Sequence, residues 1–201
     1  MIIDRKTVSD DVFDKLETLS KCVGQDPTRP MLIFTKLHVE KGQKFLVSTD
    51  GRCMAVYEVT HARLPEILTA KRSRIYRILN AGKGKLIMED ATATCGITFP
   101  NWQRVDPDLS EYEKLVVLGE KTHNTRYTKL VYALSSAKKM PISLEIFDNL
   151  KPMGKAFGEV FVHRSEAQKA VVIEWGNDFR FVAMPIVVEV LTREAQGEHV
   201  A

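Results

Sequence analysis

In residues 44–59, KFLVSTDGRCMAVYEV, two runs rich in Val, Phe, Tyr and Thr flank Asp50-Gly51. Asp-Gly tolerates the positive φ angles of a tight hairpin turn, so the two runs predict neighbouring antiparallel strands. This commits the chain to hairpin-built sheet rather than to parallel strands joined by helices. Residues 31–39 add a strand ahead of the hairpin, with Met31, Ile33, Leu37 and Val39 alternating. Before that, residues 9–23 predict a helix. Ser9 caps it, Asp10 and Asp11 suit the positive end of its dipole, and Gly24 stops it. Val12, Leu16, Leu19 and Val23, widened by Phe13, form its apolar stripe, which leaves Asp14, Lys15, Glu17 and Lys21 on the outer face.

A second helix is expected over residues 64–80, with Pro65 in its first turn. Ile67, Leu68, Ile75, Ile78 and Leu79 would be buried, Arg72, Arg74 and Arg77 would lie off the stripe, and Lys71 would snorkel. Residues 81–85, AGKGK, read as a helix stop and a turn, with strands at 85–89 and 92–99. Residues 100–112, PNWQRVDPDLSEY, are rich in turn formers and read as a linker. A third helix is expected near 126–138, with Tyr127, Leu130, Val131 and Leu134 on one face and Lys138-Lys139 closing it. Strands follow at 142–147, 158–163, 169–175 and 179–190, with Asn177-Asp178 as a turn, and residues 193–201 form a polar tail. The fold class is α+β: antiparallel sheets with helices on one face, in repeated helix–strand half-units.

Several function classes find no support in the residues. The 201-residue chain has 44% hydrophobic and 27% charged residues, ordinary for a globular protein, and a net charge of only +3. Its charged first residues do not read as a secretory leader, and its apolar runs are too short to cross a bilayer, so a cytoplasmic location is expected. Cys22, Cys53 and Cys95 are scattered and odd in number, which fits a reducing compartment. The five histidines are scattered too, so neither a metal nor any other cofactor is expected. Glu89-Asp90 has no nucleophile or histidine near it in sequence, and no catalytic residue is assigned.

Three separated segments resemble the bacterial DNA sliding clamp, the β subunit of DNA polymerase III. Residues 46–55, LVSTDGRCMA, are similar to the family's L-V-A-T-D-G-H-R-L-A; residues 99–107, FPNWQRVDP, to F-P-D-Y-R-R-V-L-P; and residues 181–186, FVAMPI, to Y-V-V-M-P-M. The resemblance implies a non-enzymatic DNA-clamp-like protein that acts in DNA replication or repair by tethering partners to DNA. It implies a groove for clamp-binding linear motifs, carried onto Thr49, Gly51, Arg52, Met54, Pro100, Arg104, Val105, Met184, Pro185 and Ile186. Cys53 stands where the family has a basic residue, and Ile186 replaces a methionine. It also implies non-specific double-stranded DNA binding by basic helix residues, here Arg72, Arg74, Arg77, Lys129, Lys138 and Lys139.

The chain would be a shortened form lacking the family's first domain. Residues 1–105 would correspond to the middle domain and residues 106–192 to a compressed last domain, so a closed ring would take three chains. The alternative is a clamp-like interaction module or regulator, of the kind a phage or mobile element encodes, that binds replication proteins without encircling DNA.

Overall fold

The computed structural model describes residues 1–64, 67, 69–95, 98–118, 144–155, 159–164 and 170–184. In chain order its elements are β1 (Ile2–Asp4), α1 (Asp10–Lys21), β2 (Thr35–Glu40), β3 (Gln43–Thr49), β4 (Cys53–Glu58), β5 (Arg74–Gly82), β6 (Lys85–Asp90), the one-turn α2 (Thr92–Cys95) and β7 (Glu113–Leu118). A 3-10 helix, Leu144–Lys155, then precedes β8 (Val160–Arg164), β9 (Val171–Trp175) and β10 (Phe179–Ala183). The ten strands make one sheet, β1-β6-β5-β2-β3-β4-β10-β9-β8-β7, in which every pairing is antiparallel.

This order contains a repeat. β1-α1-β2-β3-β4 is strand, helix, three strands, and so is β7, the 144–155 helix, β8, β9 and β10. The two units meet where β4 pairs with β10, in the register Tyr57↔Phe179, Ala55↔Phe181 and Cys53↔Ala183. In the second unit β7 pairs directly with β8, whereas in the first the β5–β6 hairpin lies between β1 and β2. The residue 105/106 boundary expected from sequence falls between β6 and β7, and the strands on either side of it share the one sheet.

Hairpin chemistry accounts for the registers. Lys41-Gly42, between Glu40 and Gln43, has φ of 48° and 87°; Lys83-Gly84, between Gly82 and Lys85, has 51° and 73°. Two positive φ angles in a two-residue loop are the demand of a turn matched to sheet twist, and glycine meets the second without strain. The AGKGK stretch is therefore a hairpin turn, with no helix before it to stop.

One face of the sheet carries the larger core. α1 packs there beside the 144–155 helix, burying Phe13, Leu16 and Leu19 with Ile146, Phe147, Leu150 and Met153 against Leu46, Tyr57, Ile173 and Phe181. Complete burial of a side chain such as Leu16 contributes roughly 1.5–3 kcal/mol. Ser9 caps α1 as expected, its Oγ accepting from the Val12 N–H at 3.3 Å. The outer face differs from expectation, because Asp14 and Lys15 are 1% and 2% exposed. α1 packs on the sheet with one side and on the neighbouring 144–155 helix with another, so more than one stripe is covered. Asp14 is held by Arg5 at 2.6 Å, and Lys15 by Asp11 and Asp178 at 2.6 Å each.

Three further expectations are corrected. The helix expected over 64–80 does not run that far: Leu64, Ile67 and Ala70 are buried, Ile67 is helical, and from Arg74 the chain is β5. In β5 the apolar residues fall on both faces, Tyr76 and Ile78 buried on one and Ile75 and Leu79 half-buried on the other, a pattern that also satisfies helical spacing. The strand at 92–99 begins instead as α2, because the Asp90 carboxylate accepts from the Thr92 N–H at 2.9 Å and turns the chain. The strand at 142–147 is replaced from Leu144 onward by the 3-10 helix, whose buried Ile146, Phe147, Leu150 and Met153 follow a helical period. The helix expected near 126–138 lies outside the described residues.

Candidate partner-docking face

On the sheet face opposite α1, strand alternation presents Val47, Met54, Val56, Val172 and Val182. Phe99 and Trp102 fold down over them from the segment after α2, each less than 8% exposed, and Phe45, Leu109, Tyr112 and Met184 close the cluster. The segment read as a linker is thus a lid, braced by short 3-10 turns at Trp102–Arg104 and Leu109–Glu111. Trp102 packs edge-on against His38 at 5.7 Å and against Phe45 at 5.8 Å between ring centroids.

The 49–53 turn stands at one end of this face. The Asp50 carboxylate accepts from the N–H groups of Arg52 and Cys53 at 2.8 Å each. The Thr49 hydroxyl donates to the Cys53 carbonyl at 2.7 Å and accepts from the Gly51 N–H at 3.1 Å. Gly51 sits at φ +87°, where a side chain is strained. Thr49, Asp50 and Gly51 therefore shape the turn, while the Arg52 side chain stays 68% exposed. Below the turn, burial raises the Cys22 thiol well above its ordinary pKa, and neighbouring Cys53 adds to the effect.

Of the groove residues carried over by resemblance, Met54 and Met184 join one cluster, Met54 buried and Met184 half-exposed. The Met184 N–H donates to the Arg52 carbonyl at 2.8 Å, which fixes the end of β10 beside the turn. Thr49 and Pro100 are half-buried, Gly51, Arg52 and Arg104 are exposed, and Val105 is 46% exposed. Val105 is not packed into the cluster, and Pro185 and Ile186 lie outside the described residues. Phe45, Phe99, Trp102 and Val182 were not assigned to this face from sequence. The alternation of the 44–59 hairpin puts Phe45 and Val47 on one side with Met54 and Val56, a signal that was available.

Beside the cluster, Arg180 is clamped by carboxylates. Its Nη1 lies 2.9 Å from both Asp106 oxygens and its Nη2 3.1 Å from Glu174, whose other oxygen meets His163 Nε2 at 3.0 Å. Burial works against the Arg180 charge, but Asp106 and then Glu174 outweigh it and raise its pKa.

Of the basic residues proposed for DNA, Arg72, Arg74 and Arg77 are described, and they do not lie on one helix face. Arg72 is exposed in the loop before β5; Arg74 pairs with Asp90 at 3.1 Å; Arg77 is exposed opposite Glu89. Arg74 and Arg77 are three apart on a strand and so point to opposite faces. The expected helix face that would have gathered them is absent there, while Lys129, Lys138 and Lys139 lie outside the described residues. Among the described residues no cluster of His, Cys, Asp and Glu is arranged to hold a metal, and no helix is long and apolar enough to cross a membrane.

No protein-family model and no curated protein matches the sequence. In fold the chain is similar to bacterial DNA sliding clamps. Against DNA polymerase III subunit beta from Pseudomonas aeruginosa the TM-score is 0.58 at 15% identity, over 92% of this chain and 65% of that one. The DNA polymerase sliding clamp from Bacillus subtilis gives 0.55 at 13%, over 89% and 63%; DNA polymerase III, beta subunit, from Thermotoga maritima gives 0.54 at 13%, over 92% and 65%. The chain spans less than two-thirds of the length of these clamps and has a shortened form of their fold.

Proposed function

We propose that this chain is a non-enzymatic, clamp-like scaffold that docks short linear segments of DNA replication or repair proteins on the sheet face opposite α1 and tethers them to duplex DNA. The observation that carries the reading is convergence. Segments around residues 54, 102 and 184, far apart in sequence, meet in one apolar cluster with Met184 accessible at its margin, and Val105 is exposed three residues after Trp102. A few accessible apolar atoms beside polar rim groups such as Arg52 and Arg104 suit a short motif with one or two apolar anchors. Because Met54 is buried, it supports the surface from beneath. The accessible contacts are Met184, Val105 and, from the resemblance, Pro185 and Ile186.

The DNA part of the proposal rests on the likeness of fold and on Arg72, Arg74, Arg77, Lys129, Lys138 and Lys139. In a ring of three chains, residues 1–105 and 106–192 would supply six clamp-like units. Two observations favour the non-ring reading: Arg74 and Arg77 face opposite ways, and α1 carries Asp10, Asp11 and Glu17. In that reading the chain docks replication proteins without encircling DNA. Solution mass separates the two, since a strict monomer at micromolar concentration removes the ring. Docking itself is tested by titrating a labelled peptide bearing glutamine and leucine or phenylalanine anchors. NMR shifts centred on Met184 and Val105 support the assignment, and shifts confined to the α1 side of the sheet remove it.

A further inference from the structure

At the end of the sheet where β2 turns into β3, four neighbouring strands, β5-β2-β3-β4, present their tips side by side. The β2–β3 turn carries Lys41, which is exposed. Between β4 and β5 the chain sorts its residues: Ala62, Leu64, Ile67 and Ala70 are buried, while His61, Arg63, Lys71 and Arg72 are exposed. The buried set anchors the stretch to the core, so the basic set is turned outward. Two bonds fix it beside the turn. The Thr60 hydroxyl accepts from the Lys44 N–H at 3.0 Å, which seats His61 next to the start of β3. The Ser73 hydroxyl accepts from the Val39 N–H at 3.1 Å, which seats Arg72 next to the end of β2.

Lys41, Arg63, Lys71 and Arg72, with the His61 imidazole, are thus gathered at one end of a chain whose net charge is only +3. Among the described residues none of the five takes part in an ion pair. Nearby carboxylates are engaged elsewhere, Glu40 by His38 at 3.1 Å and Gln103 at 3.0 Å, and Asp90 by Arg74 at 3.1 Å. Glu58 stands half-buried at the tip of β4, and Glu66 is the one acidic residue in the 59–74 stretch of sequence. Like charges held together by a fixed backbone repel one another, and an anionic partner relieves that repulsion.

The patch offers charge and little else. Among the described residues the exposed large hydrophobics are Ile2, Met31 and Val105, none of them in the turn or in the 59–72 stretch, so a protein partner finds no apolar anchor here. Residues 41–44 and 59–73 contain no Phe, Tyr or Trp, so unpaired bases find no ring on which to stack. A phosphate backbone needs neither. Strands about 4.8 Å apart make the four tips a front of roughly 14 Å, which faces about four phosphates of one DNA strand at roughly 3.4 Å each along the duplex axis. We propose that this end of the sheet holds the phosphate backbone of duplex DNA through Lys41, Arg63, Lys71 and Arg72, without reading sequence. The proposal rests on the DNA part of the clamp-like reading and deepens it, moving the contact from a helix face to the strand ends.

Fluorescence anisotropy of a labelled duplex of about 20 base pairs, titrated at several salt concentrations, is the test. Wild-type protein should bind unrelated sequences alike. Arg63→Glu combined with Lys71→Glu, at exposed positions and checked for folding by thermal melt, should weaken binding roughly ten-fold or more at low salt and flatten the salt dependence by about two units of slope. Arg63→Gln combined with Lys71→Gln should flatten it equally with a smaller loss of affinity. Lys21→Glu combined with Lys151→Glu, exposed on α1 and on the 144–155 helix, should change neither. If the helix reversals weaken binding and the sheet-end reversals do not, the patch is overturned and the DNA reading stands. If wild-type protein binds no duplex even at low salt, the patch and the DNA reading fall together. Poly-glutamate that binds as tightly as the duplex, and is lost with Arg63→Glu and Lys71→Glu, overturns the phosphate assignment and makes the partner an acidic protein.

Discussion

Met184 donates its N–H to the carbonyl of Arg52 at 2.8 Å, one residue beyond the last β4–β10 pair, Cys53↔Ala183. The bond carries the ladder to the edge of the 49–53 turn. It holds the Met184 side chain at the margin of the apolar cluster, between solvent and core.

Met184→Ala should therefore act on binding more than on stability. Removing the half-exposed thioether is expected to weaken an anchored peptide by roughly 1–2 kcal/mol. Fluorescence anisotropy reads the affinity and urea melts read the stability. A large stability loss with unchanged affinity would make Met184 a core residue only.

Trp102 should behave in the reverse order. It covers Val47, Met54, Val56 and Val182, so Trp102→Ala uncovers that cluster and is expected to cost about 3 kcal/mol or more in urea unfolding. Trp102→Phe keeps most of the apolar cover and should cost markedly less.

Asp14 gives the molecule a pH dependence. Burial is the largest influence on its carboxyl and pushes the pKa up to about 6, against a partial lowering by Arg5. The folded protein therefore holds this proton more tightly than the unfolded chain does. Stability relative to Asp14→Asn should be greatest below about pH 4, fall between about pH 4 and 6, and level off above, by on the order of 2–3 kcal/mol in all. Paired thermal melts of the two proteins across that range are the measurement, and a flat difference would show the carboxyl to be unperturbed.

Gly42→Ala isolates a backbone effect. A Cβ at Gly42 meets nothing within 4 Å, yet the residue sits at φ +87°. The substitution should destabilise by about 1 kcal/mol through strain alone, read in urea.

Charge reversals at Arg74 and Arg77 should not act alike on duplex affinity, because the two side chains leave β5 on opposite faces. Where a reversal removes a phosphate interaction, the salt dependence should flatten by about one unit of slope. Equal effects from the two reversals would argue against a DNA surface on one side of the sheet.

Much of the fold is legible where local chemistry leaves one solution. Asp50-Gly51 with its flanking β runs is a hairpin, and Ser9 with Asp10 and Asp11 opens α1. The 64–80 stretch reads as a helix because β5 has apolar residues on both faces, and Ile75, Ile78 and Leu79 fit a helical stripe as well as a two-sided strand. Its place between β2 and β6 is a tertiary fact that no window of sequence contains. The docking face is partly legible by the same logic. Similarity of three segments brings Met54 and Met184 together, but the folding of Trp102 back over Val47 and Val182 reverses a run of turn formers that reads as a connector. The clamp on Arg180 joins Asp106, from the segment after α2, to Glu174 of β9, a juxtaposition of residues far apart in the chain.

The β5–β6 hairpin between β1 and β2 also imposes an order of assembly. β1 is the first strand in the chain, yet its partner is β6, in the register Ile2↔Ile87 and Ile3↔Leu86. As the polypeptide leaves the ribosome, α1 and the β2–β3–β4 meander can form while β1 still has nothing to pair with. It joins the sheet only through β6. Ile3, buried in the finished core, thus marks a late long-range step. A lesion that unseats the hairpin should leave the meander intact while releasing the amino terminus.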